Sequence, residues 1–285
     1  MKRLLIIGGG VCLLAAVAFP QTLSLALRGG AGFASGGDLS RGLQGLMDYY
    51  AAEYDGLTGE HSFQRLGWTA GGELLFHLSP RLAIGLGAGY EMHGKESVVE
   101  YGIDAVQVTE TLTPKLAVIP VTASLHLFLP VGGKIKIDLS AGGGAYLTRL
   151  DWTSSYRISL LGYTGTDDFH FQGSKWGLGA HAGLGLEWSL TPALAATLNI
   201  TGRWVRVSGF QGDWTETGAG DFWSFTEGGS DYSFFYYDWS SGSTTYPQVV
   251  FQTDVPQGTT VANARQARID LTGFTATVGI RLNLF

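Results

Sequence analysis

A strict two-residue alternation recurs about eight times along this chain, and few architectures accommodate it. Leu82-Ala-Ile-Gly-Leu-Gly-Ala-Gly-Tyr90 and Trp176-Gly-Leu-Gly-Ala-His-Ala-Gly-Leu-Gly-Leu-Glu-Trp188 show it most clearly. Successive side chains of a strand point to opposite faces, so each segment carries one apolar side and one small or polar side. The alternation predicts strands at 22–34, 63–78, 82–94, 116–129, 135–149, 174–190, 194–208 and 268–285. The apolar phases run Leu23 to Phe33, Trp68 to Leu78, Leu82 to Met92, Ile119 to Leu129, Ile135 to Leu147, Trp176 to Leu190, Leu194 to Trp204 and Phe274 to Leu284. No position on them is charged, and their only side-chain polar atoms belong to Tyr and Trp.

The connections alternate in length. Ser79-Pro-Arg81, Pro130-Val-Gly-Gly-Lys134 and Thr191-Pro-Ala193 are tight turns, whereas 35–62, 95–115, 150–173 and 209–267 are long. This is the plan of an all-β, eight-stranded antiparallel up-and-down transmembrane barrel with short periplasmic turns and long extracellular loops. A soluble sandwich alternates too, but its outer face is usually about 25–35% charged. Here the second face is mostly small or neutral, and only 15% of the whole chain is charged. Its many glycines suit a narrow lumen where side chains converge. Trp176 and Trp188 share the apolar face; at ~3.3 Å per residue and a tilt of ~40° they stand ~30 Å apart, the separation of two aromatic girdles. Trp68 and Trp204 join them as expected girdle residues.

The first 20 residues are expected to be a cleaved export signal, followed by a single barrel domain over 21–285. Lys2-Arg3 is a basic start, Leu4 to Leu14 an apolar run too short to span a bilayer as a helix, and Ala16-Val-Ala18 a small-residue cleavage site. Cys12, the only cysteine, falls within this segment, so the processed chain would have no disulfide or thiolate metal site. The net charge of −6 argues against nucleic acid as a partner.

Signal, alternating strands, Pro-containing turns and a terminal Phe285 together resemble the small eight-stranded outer-membrane barrels of the OmpA/OmpX/OmpW-like superfamily. The resemblance implies an integral protein of a Gram-negative outer membrane, in contact with outer-membrane lipid and lipopolysaccharide. It also implies delivery to the barrel-assembly machinery through the C-terminal strand, with Phe285 as assembly signal. The pattern departs from the usual one at that end: Val278, Ile280, Leu282 and Leu284 are apolar, while Phe285 shares its phase with Arg281 and Asn283.

The inner phase carries Arg28, Glu73, Glu91, Lys136, Asp138, Glu187, Arg203 and Arg281, four charges of each sign. Unpaired charges are costly in a narrow lumen, so a salt-bridge network plugging the barrel is expected. Leu75, Phe128 and Pro120 interrupt the otherwise polar or small lumen. The strand histidines 77, 93, 126 and 181 take the inner phase, no HExxH spacing occurs, and no catalytic residue, metal site or cofactor is expected.

Two loops add information. In the first, Leu39, Leu43, Leu46, Met47, Tyr50, Ala51 and Tyr54 lie at helical spacing, with Asp38 as the expected N-cap of a helix over the barrel mouth. The last, 209–267, lacks Lys and Arg from Gly209 to Ala264 and is rich in acids and aromatics. Trp214, Trp223, Tyr236, Tyr237, Trp239 and Asp238 are its candidate ligand surface, since aromatic faces beside acids suit sugars, cations or headgroups. The expected function is that of a non-enzymatic, monomeric, plugged surface barrel acting through its loops in binding, adhesion or envelope stabilisation. The alternative is OmpW-like transport of small hydrophobic molecules, and a lipid-modifying enzyme stands third.

Overall fold

A computed structural model describes residues 22–103 and 105–284. The expected export signal, Cys12 and Phe285 lie outside the described residues. The first half contains β1 (Thr22–Ala34), α1 (Asp38–Glu53), β2 (Asp55–Gly59), β3 (Leu66–Ser79), β4 (Leu82–Gly94), β5 (Ser97–Ile103) and β6 (Val106–Gly132). The second contains β7 (Ile135–Leu160), β8 (Tyr163–Ser189), β9 (Leu194–Ser208), β10 (Gln211–Gly220), β11 (Trp223–Ser241), β12 (Thr244–Gln252), β13 (Val261–Gln266), β14 (Arg268–Asp270) and β15 (Gly273–Asn283).

All fifteen strands join one antiparallel sheet, against the eight expected. The additional strands lie in segments read as loops, β2 in 35–62, β5 in 95–115 and β10 to β13 in 209–267; 150–173 lengthens β7 and β8, and the last expected strand divides into β14 and β15. The β7–β8 ladder runs unbroken from Ile135↔Trp188 to Leu160↔Tyr163. β6 and β8 each hold 27 residues, about 90 Å of chain at ~3.3 Å per residue, far more than a bilayer needs.

Within the sheet, β1 pairs with both β3 and β15. From β3 the ladders continue through β4, β6, β7 and β8, and from β15 to β9. The two paths meet where β8 pairs with β9, from Ser189↔Ala195 to Gly179↔Val205. Beyond Gly179 the sheet forks. There β8 exchanges β9 for β10, pairing from Ser174↔Gln211 to Gly165↔Gly220. β10 leads to β11, which pairs with β12 and β13. The segment expected to be one long loop is thus a second leaf of sheet.

This leaf and α1 close over the end of the long connections around an apolar core. Leu39 and Leu43 of α1 meet Leu112, Leu116, Leu150, Phe171, Phe210 and Phe234, all of them essentially fully buried. The helix forms because Leu39, Leu43, Met47 and Tyr50 recur every three or four residues and all are buried. Its start corrects the expected cap. Gly37 precedes the helix at φ +62°, no side chain caps it, and Asp38 is the first helical residue, wholly buried. A Cβ at residue 37 would meet the Arg268 carbonyl oxygen at 2.6 Å, so glycine is required twice over.

Glycines also let α1 lie against β12. A Cβ at Gly45 would collide with the Pro247 carbonyl oxygen, and one at Gly42 would stand 2.5 Å from Val249. Alanine favours a helix interior over glycine by ~1 kcal/mol. Gly45→Ala should nevertheless destabilise the cap by about 1–3 kcal/mol, since backbone must move to admit the methyl. The check is the denaturation midpoint of the cap followed by limited proteolysis; a gain in stability would mean that α1 does not dock here.

Candidate functional site

The eight inner-phase charges fall into two tiers inside the ring of strands. In the lower tier, towards the tight turns, Arg28 donates to Glu73 at 2.7 Å and His126 sits 3.0 Å from both Glu73 and Asp138. Arg281 donates to Glu187 at 2.5 Å, with Lys136 3.6 Å from the same carboxylate. The Arg281 guanidinium also lies 4.9 Å from the centroid of Phe128, which packs with Leu75 and Ala83. This tier is therefore both a charge network and an apolar floor. Ser24 bonds His77 at 3.0 Å beside it.

The upper tier is built on Glu91. Arg203 grips it with both terminal nitrogens, one of them at 2.6 Å, while its Nε donates to the Leu271 carbonyl at 2.7 Å. His93 Nε2 lies 2.5 Å from the same carboxylate. Between the tiers is a cavity of about 160 Å³, bounded by Glu73, His126 and Arg28 below and Glu91, Arg203 and Tyr146 above. Ser124 and His181 bond across it at 2.9 Å. Polar walls and that volume suit ordered water. Pro120 also faces this cavity, where the β4–β6 ladder skips from Ala88↔Val121 to Glu91↔Val118. Proline lacks the amide hydrogen a rung would need.

Above the upper tier the apolar core of the cap seals the ring. Beside it, Met47, Tyr50, Val99, Tyr101 and Val108 form a second buried cluster. Here the structure assembles a group that the linear sequence does not signal. Tyr50 donates to Glu110 at 2.8 Å, His61 Nε2 lies 3.4 Å from Glu110, and His61 Nδ1 lies 2.9 Å from the Ser97 hydroxyl. Ser97 donates instead to the Leu112 carbonyl at 3.2 Å, and serine, histidine and glutamate are all buried. A sealed hydroxyl pointing at a carbonyl is a structural brace, not a nucleophile. Burial, then Tyr156 and then the Glu110 charge push the Tyr50 hydroxyl above its ordinary value, and Tyr101 is pushed up to about 12 by burial first and Glu110 second. Among the described residues no cluster of His, Cys, Asp and Glu could hold a metal ion.

The six residues expected to form a ligand surface are distributed over different neighbours in the cap. Trp214 stacks on Tyr232 at 4.1 Å, and Trp223 lies against Phe225 at 5.7 Å in the exposed β10–β11 turn region. Trp239 packs edge-on to Tyr49 of α1 at 4.5 Å. Tyr236 is buried under Arg265, whose guanidinium is 4.5 Å from the ring centroid, and Tyr237 is half-buried. Asp238 accepts from Tyr236 at 2.9 Å and from Asn263 at 2.6 Å. Only the middle of β11 is covered on both faces, at Phe234, Phe235 and Tyr236, whereas Trp223 lies at its exposed start and Trp214 on β10.

What the cap does leave open is a groove of about 340 Å³ between α1, β12 and the upper parts of β6, β7, β8 and β10. Leu43, Trp152, Phe169 and Phe251 wall it, and Asp167, Glu216 and Gln248 supply its polar edge. Leu43 belongs to the expected helix and Glu216 to the acid-rich 209–267 stretch; the others are not among the residues singled out from the sequence, and only their approach across several elements reveals the groove.

The outward face of the ring is apolar and open. Trp176, Trp188, Trp68 and Trp204 are each more than half exposed, and Leu178, Val278, Leu184 and Ile200 are exposed with them. Register puts Trp176 opposite Leu147 and Trp188 opposite Ile135, the two ends of the same β7 stretch.

No protein-family model matches the chain, and no characterised protein matches it in sequence. Among solved structures, a major outer membrane protein from Thermus thermophilus aligns over 93% of this chain and all (100%) of its own, with 12% identity and a TM-score of 0.32. The outer membrane protease OmpT from Escherichia coli aligns over 93% of this chain and 96% of its own, with 9% identity and a TM-score of 0.28. Both superpositions are too loose to assign a fold or an activity.

Proposed function

We propose that this chain is an integral outer-membrane protein whose eight ring strands cross the bilayer, with a closed lumen and a ligand-binding cap on the outer side. The observation that carries the reading is the outward face: a continuous belt of exposed Leu, Ile, Val and Trp, without one charge among its described residues. Water-soluble monomers rarely expose an apolar patch beyond a few hundred Å². A membrane instead demands this composition, because Arg or Lys at the lipid midplane costs about 2–4 kcal/mol. The belt between the Trp176 and Trp188 levels matches one hydrocarbon thickness, and the 27-residue strands continue past it into the cap. No helix among the described residues is long and apolar enough to cross a membrane, so the crossing rests on strands.

Closure of the lumen follows from its contents. The Phe128–Arg281–Glu187 floor, the Glu91–Arg203 tier and the apolar cap core stand in series across it. An adhesive or ligand-binding role for the cap follows by elimination of a pore. Contacts with lipopolysaccharide along the belt and with the assembly machinery at the last strand belong to the same proposal.

The test uses protein extracted from purified outer membranes. A heat-modifiable gel shift together with silent planar bilayers is the expected result. Freely dissolved, monodisperse protein without detergent would overturn the membrane reading, and reproducible single-channel openings would overturn the closed lumen.

A further inference from the structure

The geometry points to the groove between α1, β12 and the upper ends of β8 and β10 as a binding site for a small organic cation, a protonated amine carried on an aromatic or short alkyl body. The inference deepens the cap-binding reading above and rests on it. Four observations meet in this groove. Its volume of about 340 Å³ lies within the range of small-molecule sites. Its wall is aromatic: Phe251 stands 5.2 Å from Trp152 and 5.8 Å from Phe169, which in turn lies 6.3 Å from Tyr232. Ring faces attract cations, most strongly where water is thin.

At its edge, Asp167 and Glu216 stand two register positions apart on adjacent strands, and one buried Asp167 carboxylate oxygen has no hydrogen-bond partner. No residue among those lining the groove is positively charged, and Glu110 at its floor is already engaged by Tyr50. Burial comes first in raising both carboxyls; Asp168 adds its charge at Asp167, and Asp167 and Glu227 add theirs at Glu216. Two crowded acids facing an aromatic wall lack one thing, a cation.

Independently of the acids, Gln248 lines the same groove at 7% exposure, and its amide nitrogen has no acceptor. A buried donor without a partner is costly, and an oxygen on the ligand body would satisfy it. The site therefore selects an amine at one end, a flat or slender apolar body, and an acceptor oxygen at the other. The surrounding stretch from Gly209 to Ala264 has seven acids (Asp213, Glu216, Asp221, Glu227, Asp231, Asp238, Asp254) and no Lys or Arg, which would concentrate cations near the cap.

Three probes that share a phenol body separate the possibilities: tyramine (ammonium), tyrosol (neutral hydroxyl) and 4-hydroxyphenylacetate (carboxylate). Titration calorimetry on the full chain in lipid nanodiscs should show saturable tyramine binding, tyrosol at least tenfold weaker, and no binding of the carboxylate. Asp167→Asn with Glu216→Gln should weaken tyramine at least tenfold and leave tyrosol unchanged; this pair preserves volume and removes like charge, so folding is checked only by the gel shift. Equal binding of all three probes, no tyramine binding, or an unaffected double variant would overturn the inference. In nanodisc-inserted, gel-shifting protein any of these sinks the cation site alone. Failure to insert at all sinks the membrane reading instead.

Discussion

Glu91→Ala should cost about 3–5 kcal/mol of stability, the largest loss expected from a single substitution in this protein. The loss does not reflect a strong ion pair as such. Glu91 is 1% exposed and is held by the Arg203 fork and by His93, and Arg203 is 5% exposed. Removing the carboxylate leaves a buried guanidinium whose remaining acceptor is the Leu271 carbonyl. Buried pairs replaced as a unit behave differently, since desolvation of both ions is then avoided. Glu91→Met combined with Arg203→Met should accordingly recover most of the loss. Urea-induced conversion of the fast-migrating to the slow-migrating band in lipid vesicles measures both. A single variant within about 0.5 kcal/mol of the native protein would show that the tier contributes nothing to stability.

The second large effect concerns the clasp that holds the cap shut. Asp38 accepts from both terminal nitrogen groups of Arg265, from Arg41 at 2.6 Å and from the Arg268 backbone amide at 2.8 Å. It thereby joins the start of α1 to the strand that re-enters the ring. Asp38→Ala should destabilise the cap by about 2–3 kcal/mol, less than Glu91→Ala, because Arg265 retains access to water whereas Arg203 does not. Limited trypsin digestion should then cut within 38–53 and 255–266 while the ring strands stay protected.

Acid should do the same work reversibly. Burial alone would raise the Asp38 carboxyl, but the bonds from Arg265 and Arg268 outweigh it and hold it below its ordinary 3.8. A depressed acid stabilises the fold above its unfolded value and loses that contribution as pH falls through the folded value. The cap should therefore loosen only below about pH 4. Asp167 and Glu216 oppose this trend, since raised acids favour the folded state when protonated. Cap protection unchanged between pH 6 and pH 2, to either side of about pH 4, would remove Asp38 from the role of clasp.

What the linear order of residues made legible followed from periodicity. From Trp176 to Trp188 every second residue is apolar because one medium touches all of them, and the structure turns that phase outward. Beyond the belt no single medium acts on a face. Residues 223–231 of β11 are exposed on both sides and Phe234 to Tyr236 buried on both, so a period of two vanishes although the strand continues. That is why 209–267 read as a loop. Asp38 beside a helical pattern looked like a cap because local spacing carries no word of Arg265, 227 positions later. The groove is invisible for the same reason: Asp167, Glu216 and Gln248 belong to three strands that only the fork brings together.

The closing contacts of the ring and of the cap join the two ends of the described chain. The ring closes only where β1 meets β15, from Ala34↔Gly273 to Ser24↔Asn283, and α1 is clasped by Arg265 and Arg268 from the same end of the chain. Contacts so distant along the backbone form slowly. Wall and roof are thus both completed by the last stretch of sequence, so a polypeptide cut short before Arg265 should have neither a shut stave wall nor a fastened lid.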